Sequence, residues 1–194
     1  RVGPFGLIQP FADIIKLLIK EDTTPEGADK TLYNLAPILS MMSVLILWAV
    51  VPLAPSILGV DLNIGALYII AAGAIGALSI IMAGWSSNNK YSLIGAFREV
   101  AVMLSFEIPM LTVMLIPTIF TGSMGIGAIT QAQDTWFVFL APLAAVIFLI
   151  AAIAELGRAP FDMGEAESEL ISGYNIEYSG MKFGMFYAGE LLRA

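Results

Sequence analysis

Four stretches of this chain, about residues 35–57, 63–84, 100–122 and 136–156, run on with at most one charged side chain each. A bilayer core of about 30 Å takes roughly twenty helical residues, so each stretch has the length of a membrane crossing. In lipid every backbone N–H and C=O must find its partner within the protein, which leaves helices or closed barrels as spanning structures. Barrel strands would alternate apolar and polar residues over segments of about ten. These runs are continuous, and the expectation is an all-α, polytopic transmembrane protein. Composition agrees: 58% of the 194 residues are hydrophobic and 13% charged, and the mean hydropathy is +0.85, outside the usual range of a soluble domain. A fifth apolar run, about 181–194, is too short to cross as written. No fixed-period repeat or low-complexity linker divides residues 1–194, which read as one membrane domain.

Four crossings put the first, third and fifth polar segments on one side. That side carries Arg1, Lys16, Lys20, Lys30, Lys90, Arg98, Arg158 and Lys182, whereas the loops near 58–62 and 123–135 carry neither Lys nor Arg. Basic loops stay inside, so the charged side is expected to be cytoplasmic, in a multi-pass protein of the cell's inner (plasma) membrane, or to face the matrix in a mitochondrial inner membrane. The formal charge of −7 then describes where carboxylates sit, with membrane lipid and not nucleic acid as the expected partner.

The chain has no Cys and no His, the usual ligands of haem, iron–sulfur clusters, zinc and copper, so a redox centre is expected in another chain. There is no metal-binding loop pattern, no Gly-x-Ser-x-Gly elbow and no phosphate-cradling Gly loop. A start at Arg1, without a signal-peptide pattern, reads as a fragment.

Ahead of the first crossing, "QPFADIIKLLIKED" sets Phe11, Ile14, Ile15, Leu18 and Ile19 on one helical face, away from which lie Asp13, Lys16 and Lys20. About 11 residues cannot cross, so this helix is expected in the interface, as an anchor or against neighbouring helices. Within 63–84, Gly65, Ala72, Gly73, Gly76 and Ala77 put small residues four apart, the spacing of close helix packing.

Two groups of carboxylates stand out. Residues 154–174, "AELGRAPFDMGEAESELISGY", gather Glu155, Asp162, Glu165, Glu167 and Glu169 around one base, Arg158. Asp162, Glu165 and Glu169 share a face if the segment is helical, and two carboxylates about 6 Å apart repel by roughly 3 kcal/mol at an effective dielectric near 20. A solvated acidic loop would screen that repulsion, but Phe161, Met163, Leu170, Ile171 and Tyr174 threaded through the run argue for burial. Glu107 lies inside the span 100–122, where an ionisable side chain either serves function or snorkels out, with Arg98 as a silent partner. Pro109 and Pro117 follow it, each able to kink the helix. Glu190, in the short last run, belongs to the same class.

Taken together, "RVGPFGLIQPFADIIKLLIKED", "SNNKYSLIGAFREVAVMLSFEIP" and "AELGRAPFDMGEAESELISGYNIEYSGMKF" resemble one family, the H subunit of respiratory complex I, called NADH dehydrogenase subunit 1 in mitochondria. The resemblance covers nearly the whole chain. It implies a fragment holding the second to the fifth of about eight membrane helices and the start of the sixth. It also implies a place at the heel of the complex, shaping a tunnel that admits quinone from the bilayer. Arg1, Gln9, Asp13 and Lys16 would line the tunnel mouth and wall, with Phe5, Leu7, Phe11 and Leu17 against the isoprenoid tail. Glu107, Glu155, Asp162, Glu165, Glu167, Glu169 and Glu177 would pass the effect of quinone reduction to proton-pumping subunits, with Arg158 as their counter-charge. Quinone would be the substrate, this chain would bind no cofactor, and iron–sulfur clusters and flavin would sit in partner subunits. Gly157 stands where the family commonly has Asn, and Phe106 and Leu191 stand where Tyr is frequent. A homologous ion-coupling component of an energy-converting membrane-bound hydrogenase is the alternative. A self-sufficient channel fits less well, since no polar stripe crosses 63–84 or 136–156; a plain scaffold would predict that neutralising Glu107 or Glu165 leaves turnover unchanged.

Overall fold

The first crossing is terminated by its caps, not by the end of its apolar run. In the computed structural model, which describes residues 3, 6–52, 59–157, 161 and 173–193, helix α2 covers Lys30–Trp48. Asp29 opens it by accepting from the backbone N–H groups of Thr31 (3.1 Å) and Leu32 (3.4 Å), a capping geometry that needs no apolar residue. It therefore begins before residue 35 and ends at Trp48, ahead of Pro52.

The remaining elements are α1 (Gln9–Ile19), α3 (Gly65–Ser86), α4 (Lys90–Thr121), α5 (Ile126–Gln131), α6 (Phe137–Leu140), α7 (Pro142–Glu155), a 3-10 turn at Gly173–Asn175 and α8 (Gly180–Arg193). Among the described residues there is no strand, and α2, α3 and α4 are long and apolar enough to cross a membrane. The apolar stretch 136–156 is divided: α6 stops at Ala141 and α7 restarts on Pro142, whose missing N–H is tolerated at a helix start. Helix α4 runs unbroken through Pro109 and Pro117. It starts ten residues before the predicted span because Asn89 caps it, its Oδ1 accepting from Tyr91 N at 2.9 Å. A helix of this length is about 48 Å long, so its first turns, with Lys90 and Arg98, project beyond a 30 Å core.

Helices α2, α3 and α4 pack in sequence, α7 lies along α4, and α8 lies along α2 and contacts α1. The small residues of α3 serve this packing, as their spacing predicts: Gly65, Ala72, Gly76 and Ala77 are buried. Gly84 meets α4 so closely that a Cβ there would collide with Ala96. The core gathers at one end of the bundle around Tyr33, Ala83, Ala96, Val100, Tyr174, Tyr178 and Phe186. Tyr33 and Tyr178 stack at 4.1 Å, and Phe186 meets Tyr174 and Tyr178 edge-on.

Pro37 explains one contact in this core. It sits inside α2 and lacks the N–H that would bond the carbonyl of Tyr33, four residues back. The hydroxyl of Tyr178 donates to that carbonyl instead, at 3.3 Å, and lies 3.3 Å from Ser86 Oγ. Burial pushes the Tyr178 phenol up to about 12, against a lowering by the Ser86 hydrogen bond.

The polar segments of this end are tied together. Asp29 N donates to Ser86 O (3.1 Å), Tyr33 Oη to Glu177 O (2.7 Å), Ser92 Oγ to Tyr174 O (2.8 Å), and Lys182 pairs with Asp22 at 2.8 Å. Gly95 of α4 abuts Gly173, where a Cβ would come within 2.8 Å of the facing backbone; two glycines are what allow the turn to lie on the helix. At the other end Ala66 N donates to Met124 O (3.0 Å), and Phe120 meets Phe137 at 5.6 Å. The segments carrying Lys20, Lys30, Lys90 and Lys182 thus share one end of the bundle.

Candidate functional site: carboxylates inside the helical bundle

Helix geometry places three charged side chains at one depth. At 1.5 Å per residue, Glu107 lies about 21 Å along α4 from Thr121, and Glu155 about 20 Å along α7 from Pro142. Gly73 and Gly76 of α3 lie about 12 and 17 Å from Gly65. All three starting points are at the end of the bundle that lacks basic residues. Both carboxylates therefore stand about 9–10 Å inside the nearer face of a 30 Å core, Glu107 much as a span beginning at residue 100 implies.

One glycine of α3 lies beside Glu155 and another makes room for Arg193. A Cβ on Gly73 would stand 3.6 Å from Glu155 Oε1, and one on Gly76 would collide with Nη2 of Arg193 and lie 3.3 Å from Ser43 Oγ. Positions three apart on a helix face have Cβ atoms about 5–6 Å from one another, so the Glu155 carboxylate and the Arg193 guanidinium rest on adjacent steps of α3. Glu155 is within electrostatic reach of Arg193 and Glu107, and both glutamates are half-buried.

Helix α7 ends beside this cluster. Gly157 adopts φ +60°, the left-handed conformation of a helix C-terminus, favoured by Gly and next by Asn. That accounts for Gly at a position where the family resemblance leads one to expect Asn. Phe161 packs edge-on against Phe106, with centroids 5.0 Å apart, which brings the start of the acidic segment against the neighbour of Glu107.

The other expected site residues divide into three sets. Gln9 and Asp13 meet on α1, Nε2 donating to Oδ1 at 3.1 Å, while Lys16 is exposed. The apolar face of α1 has almost no protein cover: Phe11 is 68% exposed and Ile19 79%, and Leu7, just ahead of the helix, is 74% exposed. Leu17 points the other way and its Cδ1 would lie 3.2 Å from a Cβ on Gly184 of α8, so α1 docks by one edge and leaves its broad apolar face free. Glu177 is separate from the interior cluster, accepting from Asn89 Nδ2 at 2.6 Å. Glu190 accepts from Tyr174 Oη at 2.7 Å. Arg1, Phe5, Arg158, Asp162, Glu165, Glu167 and Glu169 lie outside the described residues.

Sequence reasoning passed over Arg193. It stands at the edge of an apolar run and looks like the polar end of a helix. The available signal was its place three residues after Glu190, within the same membrane segment.

A family model described as NADH dehydrogenase matches residues 1–194. The chain is 52% identical over 190 residues to the H subunit of NADH-quinone oxidoreductase from Dehalococcoides mccartyi (strain CBDB1), covering 98% of this chain and 54% of the relative. It is 50% identical over 191 residues to the protein of the same name in Brevibacillus brevis (98% and 57%), and 47% identical over 193 residues to that of Rickettsia bellii (97% and 57%). The chain spans about half the length of the curated relatives it matches.

Proposed function

We propose that this chain, which belongs to the NADH dehydrogenase family and within it to the H subunits of NADH-quinone oxidoreductase, shapes the quinone site of a proton-translocating complex I and couples quinone reduction to proton transport. The observation that carries the reading is Glu155 set inside the bundle beside Gly73 of α3, next to the step at Gly76 that Arg193 fills, with Glu107 on α4, the helix along which α7 packs. An integral membrane protein keeps ionisable groups at such depth at considerable cost, and they mark proton or substrate paths.

Reducing a quinone to quinol consumes two protons. A developing negative charge in a low-dielectric chamber changes the proton occupancy of carboxylates nearby, and coupled carboxylates respond as a set. Glu107 and Glu155 would make such a response, and Asp162, Glu165, Glu167 and Glu169 would take part in it. Helix α1 suits the entry of an apolar substrate: its uncovered face, with Phe11, and Leu7 just ahead of it, is a surface for an isoprenoid chain, and the Gln9–Asp13 pair offers polar contacts beside it. Electrons would come from an iron–sulfur cluster in a peripheral partner, itself supplied through a flavin in another, because the chain holds no Cys or His. The segments bearing Lys20, Lys30, Lys90 and Lys182 would face the cytoplasm at the inner (plasma) membrane.

The test is to purify the complex carrying the full-length, tagged chain and supply a reductant that fills its iron–sulfur clusters. Quinol formation that quinone-site inhibitors block is the expected result. Hydrogen evolution without quinol would refute the reading and move the chain to the hydrogenase branch.

A further inference from the structure

The groups facing the Glu155 carboxylate come from several helices, and one of them is a cation. Helix α3 presents bare glycines at 73 and 76, α2 presents Ser43 Oγ, α4 presents Glu107 and α8 presents Arg193. The rotation of α8 that aims Arg193 inward is fixed by neighbouring contacts: Trp48 Nε1 donates to Leu192 O at 3.0 Å, and Gly189 is buried, a Cβ there lying 3.1 Å from Ser40 Oγ. The guanidinium fills the notch that Gly76 leaves, while Glu155 occupies the step beside Gly73.

We propose that Arg193 is a positioning residue, the counter-charge of Glu155, held by the notch at Gly76 one step along α3 from the carboxylate at Gly73, so that Glu155 does not stand uncompensated inside the membrane. A carboxylate alone in a low-dielectric interior takes up a proton rather than remain charged. With the guanidinium beside it the pair is near charge balance, and its proton occupancy answers to small changes of potential nearby. Only that consequence rests on the function proposed above; the pairing itself is an electrostatic claim about this chain.

The test uses the full-length chain in its complex, in lipid nanodiscs, followed by infrared spectroscopy across a pH titration. The protonated-carboxyl band of Glu155 is identified by its loss in Glu155→Gln. In Arg193→Gln the midpoint of that band is expected to move to higher pH by about one unit or more. Arg193→Lys, which keeps the charge, is expected to return it, and Gly76→Ala, which displaces the guanidinium without removing it, to move it the same way as Arg193→Gln. An unmoved midpoint in Arg193→Gln, the absence of any Glu155 band there, or a shift that Arg193→Lys fails to reverse would overturn the proposal. Should Arg193→Gln fail to assemble, Gly76→Ala decides alone, an unmoved midpoint counting against it. Quinone takes no part in this readout, so a complex that formed no quinol would refute the functional reading while the band still judged Arg193.

Discussion

Removing one hydroxyl, in Tyr178→Phe, tests the packing that holds the basic end of the bundle together. The phenol donates to the carbonyl that Pro37 leaves without a helical partner. Tyr33 is fully buried and Pro37 is buried with it, so no water replaces the donor. Stacking on Tyr33 and the edge contact with Phe186 survive, since the ring remains. What is lost is the bond to that carbonyl, with a buried acceptor orphaned, together with the contact to Ser86 Oγ, which can still donate to Ala83 O; the cost is about 1–3 kcal/mol. The bond at 3.3 Å is long, which favours the lower half of that range. If the reasoning holds, Pro37→Ala supplies an N–H to the same carbonyl, and Tyr178→Phe costs at least about 1 kcal/mol less in its presence. The assay is unfolding of the full-length chain in mixed micelles, followed by far-UV circular dichroism, for both single variants and the double. Equal costs with and without Pro37→Ala would refute the argument. The phenol also makes a pH prediction. Its folded value, about 12, exceeds the ordinary 10, so its contribution is complete below about pH 10 and is lost as pH rises through about 12. That alkaline loss should be smaller in Tyr178→Phe, leaving the part due to Tyr33, whose phenol burial also pushes up.

Two further outcomes follow from contacts at this end. Gly84→Ala drives a methyl into Ala96 and is expected to cost about 1–3 kcal/mol through overpacking; adding Ala96→Gly should recover most of it, less about 1 kcal/mol for glycine inside α4, and a simple sum of the two costs in the same unfolding assay would contradict the contact. Asn89→Ala removes both the cap of α4 and the bond to Glu177. It should cost about 1–2 kcal/mol and accelerate amide exchange at Tyr91 and around 173–179, with unchanged exchange at both places counting against the link.

Long apolar runs sufficed to identify the membrane helices, because a bilayer imposes its thickness on sequence. Their ends were less legible, because a helix ends where its backbone is capped. Asp29 and Asn89 start α2 and α4 before the apolar runs begin, and Pro142 restarts a helix inside one. The amphipathic face of α1 was readable from spacing alone, as was the anomaly of Glu107. Which charged groups lie around Glu155 was not readable, since Glu107 and Arg193 sit on helices remote from it in sequence. Arg193 becomes visible only once Gly73 and Gly76 are seen as two vacant steps on α3. The sequence drew attention to Arg158, three residues after Glu155 and outside the described residues; the structure adds Arg193, which reaches the step of α3 next to the same carboxylate from across the bundle.

The most direct test of the coupling account is to reconstitute the complex with Glu107→Gln or Glu155→Gln in the full-length chain. Inhibitor-sensitive quinone reduction and proton uptake into liposomes are then recorded alongside reduction of the peripheral iron–sulfur clusters. The account predicts unchanged cluster reduction with proton-coupled quinone turnover slowed about tenfold or more, the effect of at least about 1.4 kcal/mol on the barrier. Normal proton-coupled rates in both variants would contradict it.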